Sequence, residues 1–184
     1  MLKFDIIEPK EGIHKSKYIK KIEHHINPTK EDPSELKNYI FVEEFLEGGE
    51  NKFIGGALLL KKELYKVQED VQELVGALPL RGFVWECSFS CFFKIRDQET
   101  RFSTISPQEF YCGLYNKLVK FGRKKEIGFV IMKLPQETYL SSKEWGKWPY
   151  VVELKPENSP DKLFHGILPL TGSQYEAYQK SWYP

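Results

Sequence analysis

The run at 84–89, Val-Trp-Glu-Cys-Ser-Phe, sets a carboxylate, a thiol and a hydroxyl on three successive residues. It lies inside a long β-prone segment, 82–93. Alternation along a strand puts Val84, Glu86 and Ser88 on one face, and Trp85, Cys87, Phe89 and Cys91 on the other. Glu86 is therefore a carboxylate on the polar face of an otherwise apolar strand. Such a group either moves protons in a site or is tied to a neighbouring strand in a structural network. Cys87 and Cys91 share a face, but a metal pair would need two further ligands at suitable spacing. The four histidines, His14, His24, His25 and His165, form no HxxxH or His-x-x-Cys pattern. Both cysteines read as core residues, and no metal site is expected.

A second cluster is cationic. Lys117, Lys120, Arg123, Lys124 and Lys125 gather at the end of one helical segment. They read either as a docking patch for an acidic partner or as the cations that a helix C-terminus favours anyway.

The elements that must position these groups follow from periodicity. Residues 4–7 read as a first strand and 14–26 as a helix with Ile19, Ile22 and Ile26 on its inner face. Residues 28–34 are polar and proline-bearing, and read as a loop or flap. Strands at 39–45 and 52–62, joined by a turn over 47–51, make an antiparallel hairpin. Gly55-Gly56 predicts a bulge in its second strand. Residues 63–74 have weak helical character. Ser106, Pro107 and Glu109 form a capping box, and Phe110, Leu114, Leu118 and Phe121 then make a helical stripe that Gly122 should end. Residues 127–134 are short, apolar and unbroken, as in a strand buried on both faces. Strand, helix and strand over 83–133 suit a right-handed crossover into a parallel pair. A short helix at 137–145, strands at 150–154 and 166–170, and a last helical turn at 173–180 complete the chain.

Composition bounds the class. The chain has 184 residues, 41% hydrophobic, 29% charged and 15% aromatic, which suits one α/β domain spanning 1–184. Twenty-seven basic residues against 26 acidic ones leave a net charge of +1, unlike a dedicated nucleic-acid binder. Three cysteines make no paired framework, so reduced thiols and a cytoplasmic setting are expected. No secretory signal is read at the start, and no apolar run approaches the ~20 residues of a membrane span.

The order of elements resembles the GNAT acyltransferase superfamily, and within it the acyl-homoserine-lactone (autoinducer) synthases of bacteria. Residues 53–60, Phe-Ile-Gly-Gly-Ala-Leu-Leu-Leu, resemble the family's Gly-x-x-Arg-Leu strand. Residues 84–89 resemble its Trp-Glu-Leu-Ser-Arg-Phe strand, and 137–145 its segment ending in Gly-Trp. The resemblance implies a mixed central sheet with an antiparallel N-terminal hairpin and a splayed parallel pair, flanked by helices. It implies an N-acyltransferase moving an acyl group from a thioester to a small-molecule amine. The splay would lie between 85–92 and 128–133. Its backbone N–H groups would hold the pantetheine arm and polarise the thioester carbonyl. Glu86 would orient or deprotonate the amine, and Tyr139 would protonate the leaving thiolate. Trp85, Cys87, Ser88, Phe89, Phe129 and Trp145 would line the substrate, with the wider aromatic load lining an acyl pocket or filling the core.

Two departures from the family pattern shape the reading. Phe89 stands where the family has arginine, and the hairpin arginine is replaced at Leu58 or Leu59. An alternative follows: a GNAT-like domain that binds a ligand or partner without catalysis. The segment 94–106 contains no glycine, whereas coenzyme-A-dependent relatives place a Gly-rich pyrophosphate loop there. That favours acyl carrier protein over acyl-coenzyme A as the co-substrate's carrier, with the basic cluster as its dock. No tightly bound cofactor is implied.

Overall fold

The computed structural model describes residues 2–7, 16–26, 36–45, 49, 51–63, 83–91, 105–155 and 162–170. Ten elements occur there: β1 (Leu2–Ile7), α1 (Ser16–Ile26), β2 (Leu36–Phe45), β3 (Asn51–Glu63), β4 (Phe83–Cys91), α2 (Pro107–Lys125), β5 (Phe129–Leu134), α3 (Gln136–Glu144), β6 (Val152–Leu154) and β7 (Phe164–Pro169). The strands form one seven-stranded sheet in the order β1-β2-β3-β4-β5-β7-β6. Every neighbouring pair is antiparallel except β4–β5, which is parallel. This is the mixed α/β architecture, an antiparallel hairpin and one parallel pair in a single sheet with helices, that the element order implies. No helix among the described residues is long and apolar enough to cross a membrane.

The expected loop at 28–34, the helix at 63–74 beyond its first residue (Glu63 closes β3 instead), the glycine-free segment up to 104 and the turn at 173–180 lie outside the described residues. Of the hairpin turn, Gly49 is described, with φ at 85°. The hairpin does carry an irregularity, one residue before the predicted glycine pair. Val42 pairs Gly55 while Glu43 pairs Phe53, so Ile54 is the extra residue.

Two cores follow from alternation. On one face, α1 lays Ile22 over Tyr39, Phe41, Leu58 and Leu60. On the other, α2 buries its predicted stripe, Phe110, Leu114, Leu118 and Phe121, against Trp85, Cys87, Phe89, Val130 and Met132. Full burial of each such side chain contributes about 1.5–3 kcal/mol.

The start of α2 forms as its residues dictate. Ser106 Oγ accepts from the Glu109 backbone N–H at 3.0 Å, and Pro107 takes the first turn. Its end is later than the glycine suggests. The helix passes Gly122 and stops at Lys125. Ile127 N–H then donates to the Gly122 carbonyl at 2.8 Å and Glu126 N–H to that of Arg123 at 3.5 Å. That is a Schellman closure with Glu126 in the left-handed region, φ 56°. Gly122 serves close approach instead: a Cβ there would lie 2.8 Å from Leu170 Cβ and 2.9 Å from the Ile127 carbonyl oxygen. Because a side chain in that region costs energy that glycine avoids, Glu126→Gly is expected to stabilise the protein by about 1 kcal/mol. A thermal melt should show a rise of about 2–4 °C.

Candidate active site at the parting of two parallel strands

The crossover through α2 places β5 beside β4, but the ladder between them is short. Only Glu86↔Ile131 and Cys87↔Met132 pair. Beyond Cys87, β4 stays on β3, with Ser88 opposite Leu58 and Phe89 opposite Ala57. Beyond Met132, β5 stays on β7, with Lys133 opposite His165 and Leu134 opposite Phe164. The sheet therefore parts between Ser88–Phe89 and Lys133–Leu134. Peptide groups of β4 on that side have no partner in the β5 ladder, which leaves donors and acceptors facing the gap.

The two rims differ in chemistry. On the α1 face stand Glu86 and Ser88 of β4, Lys133 of β5 and His165 of β7. Glu86 is mostly buried, and its Oε1 accepts from Lys62 Nζ at 3.2 Å across the β3–β4 ladder. On the opposite face, Phe89 is buried with its ring centroid 5.1 Å from that of Trp148 and 5.8 Å from that of Tyr111.

The expected site residues divide by position. Glu86 and Cys87 occupy the last paired rungs, and Ser88 and Phe89 lie where the strands part. Trp85 points to the other end of α2, edge-on to Phe121 at 5.2 Å. Phe129 is at the far end of β5, opposite Pro169. Trp145 caps α3, partly exposed, with its carbonyl 3.9 Å from Cys112 Sγ. Cys87 is fully buried, and burial pushes its thiol far above the ordinary range, so it stays protonated and unreactive.

Tyr139 lies on the α2 face, while Glu86 faces α1, so the sheet separates the two expected catalytic groups. Its ring stacks on Phe164 at 3.3 Å. Burial, then a hydrogen bond with Glu153, holds its hydroxyl up at about 12. Lys143 Nζ sits 5.4 Å from the Tyr139 ring and 2.9 Å from Glu153 Oε1. The group ties α3 to β6. The sign of its pH effect follows. Folded Tyr139 resists ionisation, whereas the unfolded phenol ionises near pH 10. Its contribution to stability is complete below pH 10 and is lost as pH rises toward 12. Denaturant titrations at pH 9 and pH 11.5 should show a smaller alkaline loss in Tyr139→Phe than in the parent.

The basic cluster lies away from the gap. Tyr111, near the start of α2, meets Phe89, whereas Phe121, near its end, meets Trp85. Arg123 is therefore roughly 18 Å along the helix from the level at which the strands part. Lys120, Arg123 and Lys124 are exposed, and Lys117 and Lys125 half-buried. Burial lowers the Lys117 ammonium pKa, with Asp5 of β1 opposing the shift.

Sequence reasoning missed Trp148, Tyr150 and the Lys62 partner of Glu86. Trp148 is buried, and its Nε1–H donates to the Tyr111 carbonyl at 3.0 Å. The Tyr150 hydroxyl is 2.8 Å from Ser142 Oγ. Burial raises its pKa strongly, against the lowering effect of the Ser142 hydrogen bond. The irregular Trp-Gly-Lys-Trp-Pro-Tyr run at 145–150 was the available signal. Two tryptophans and a tyrosine in six residues are too apolar for a connection exposed throughout.

No protein-family model and no curated protein matches the chain. Among solved structures it is similar to Arabidopsis thaliana NAA60 in complex with acetyl-CoA, at 10% identity and a TM-score of 0.49, over 92% of this chain and 98% of that one. It is similar to a CoA-dependent acyl-homoserine lactone synthase, MesI, at 12% identity and a TM-score of 0.46, over 98% of this chain and 95% of that one. A second CoA-dependent synthase, BjaI with MTA, aligns at 18% identity and a TM-score of 0.40, over 79% of this chain and 64% of that one. What these likenesses describe is the arrangement of strands and helices.

Proposed function

We propose that the protein is an N-acyltransferase that moves an acyl group from a phosphopantetheine thioester to a small amine. The observation that carries this reading is the parting of β4 from β5 directly beyond Glu86 and Cys87. A thioester arm lying there would meet unladdered peptide N–H groups able to polarise its carbonyl. The amine would approach from the α1 face, beside Ser88 and the Glu86 carboxylate. Its nitrogen bonds to the carbonyl carbon, the C–S bond breaks, and the amine proton passes to Glu86. The departing thiolate takes a proton on the α2 face. Tyr139 was the expected donor; Tyr150, whose ring lies 6.3 Å from that of Trp148 beside Phe89, stands one ring nearer the wall of the gap than Tyr139, which packs behind it at 5.0 Å. Tyr150→Phe should therefore cost more activity than Tyr139→Phe.

Acyl carrier protein and coenzyme A both present the same phosphopantetheine arm to such a gap. The basic end of α2 stands at the Trp85 end of the sheet, which does not favour it as the dock for an arm entering beside Phe89. The Lys62–Glu86 ion pair supports the second reading, a domain that binds a thioester or partner without turnover.

The test is direct. The full chain is incubated with acyl thioesters of both carriers and a panel of amines, and thiol release is followed. Amine-dependent release supports the first reading. Thioester binding with no release from either carrier supports the second and sinks the first.

A further inference from the structure

The α2 side of the gap is filled by interlocked rings. Phe89, the first side chain on that face beyond the last rung, meets Trp148 and Tyr111. Trp148 in turn lies 5.9 Å from Tyr115 and 6.3 Å from Tyr150, centroid to centroid. Each ring is held. Trp148 Nε1–H donates to the Tyr111 carbonyl at 3.0 Å, and its backbone N–H to the Ser142 carbonyl at 3.2 Å. Tyr115 O–H donates to the Pro169 carbonyl at 2.9 Å. Gly146 shows how closely the wall is built: a Cβ there would lie 2.5 Å from Trp148 Cδ1 and 2.7 Å from Tyr111 Cβ. Phe89, Tyr111, Tyr115 and Trp148 are all buried.

A thioester carbonyl in the gap has a polar rim on one side, carrying Glu86 and Ser88, and this aromatic wall on the other. An apolar acyl tail is directed to the wall. Trp148 and Tyr115, hydrogen-bonded to backbone, cannot swing aside as unbranched side chains do, and Phe89 is wedged between Trp148 and Tyr111 in a close-packed interior. We infer that the acyl group accepted here is short, up to about four carbons, and that Trp148 with Phe89 sets the limit. The inference rests on the acyl-transfer reading and adds the class of donor to it.

The experiment is a chain-length series of coenzyme A thioesters, acetyl, butyryl, hexanoyl and octanoyl, with one amine and the full chain. Expected is a fall in kcat/KM of about tenfold or more between butyryl and octanoyl. Phe89→Ala and Trp148→Phe should each raise the octanoyl-to-acetyl ratio about tenfold. Trp148→Phe keeps an aromatic ring in place and guards against a variant that does not fold. Equal transfer of octanoyl and acetyl by the parent, or ratios unchanged in both folded variants, overturns the inference while leaving acyl transfer standing. If no thioester is turned over, acyl transfer itself falls. The size limit is then read from thioester binding, where equal affinity for acetyl- and octanoyl-coenzyme A overturns it.

Discussion

Glu86→Gln should lower kcat/KM for amine acylation by about 100-fold while the protein still folds. Glutamine keeps the shape and the hydrogen-bonding oxygen, so the contact with Lys62 Nζ at 3.2 Å has a substitute. It loses the ability to take a proton from the attacking amine. Glu86→Asp keeps the carboxylate but draws it back by one methylene, and should lie between the two. Lys62→Met separates the roles further. If Glu86 serves only as Lys62's partner, Lys62→Met and Glu86→Gln should look alike: modest loss of stability, no selective loss of turnover. If Glu86 handles the proton, only its own substitution removes activity in a folded protein. A Glu86→Gln variant with a lowered melting temperature and full kcat/KM would leave the ion pair as the whole explanation.

The largest expected loss of stability comes from Gly56→Ala. Gly56 sits in β3 between Phe41 of β2 and Ser90 of β4, under α1. An added Cβ would overlap the Ile40 carbonyl oxygen and stand 2.5 Å from Ile22 Cδ1. The Ile22 side chain can turn; the Ile40 carbonyl is backbone within the β2–β3 ladder and cannot. Either α1 lifts or the ladder distorts, and the expected cost is about 2–3 kcal/mol. For a chain of this size that is a fall in melting temperature of roughly 5–10 °C. Ile22→Val combined with Gly56→Ala should recover part of the loss, so the two substitutions should not add. An unchanged melting temperature for Gly56→Ala would mean that α1 does not approach β3 this closely.

Much of the frame was legible because it is local. Ser106, Pro107 and Glu109 cap α2 within one turn, and the stripe of Phe110, Leu114, Leu118 and Phe121 needs only helical spacing. The alternation in β4 correctly assigned Trp85, Cys87 and Phe89 to one face and Glu86 and Ser88 to the other. The unbroken apolar run at β5 correctly announced a strand covered on both sides.

What the sequence determined by itself was therefore each element's kind and which of its faces is apolar, since both depend on residues within a few positions of one another. Only the tertiary structure decided which faces meet. It set β7 between β5 and β6, although β6 comes first in the chain. It brought Lys62 to Glu86 across 24 positions and Trp148 to Tyr111 across 37. It put Tyr139 behind the sheet from Glu86, and it turned Gly122 from an expected helix stop into a contact for Leu170. Register and strand order depend on the summed packing of the whole sheet, where shifting one residue exchanges every side chain between faces. The residues around the parting of β4 and β5 acquire their roles from that sum.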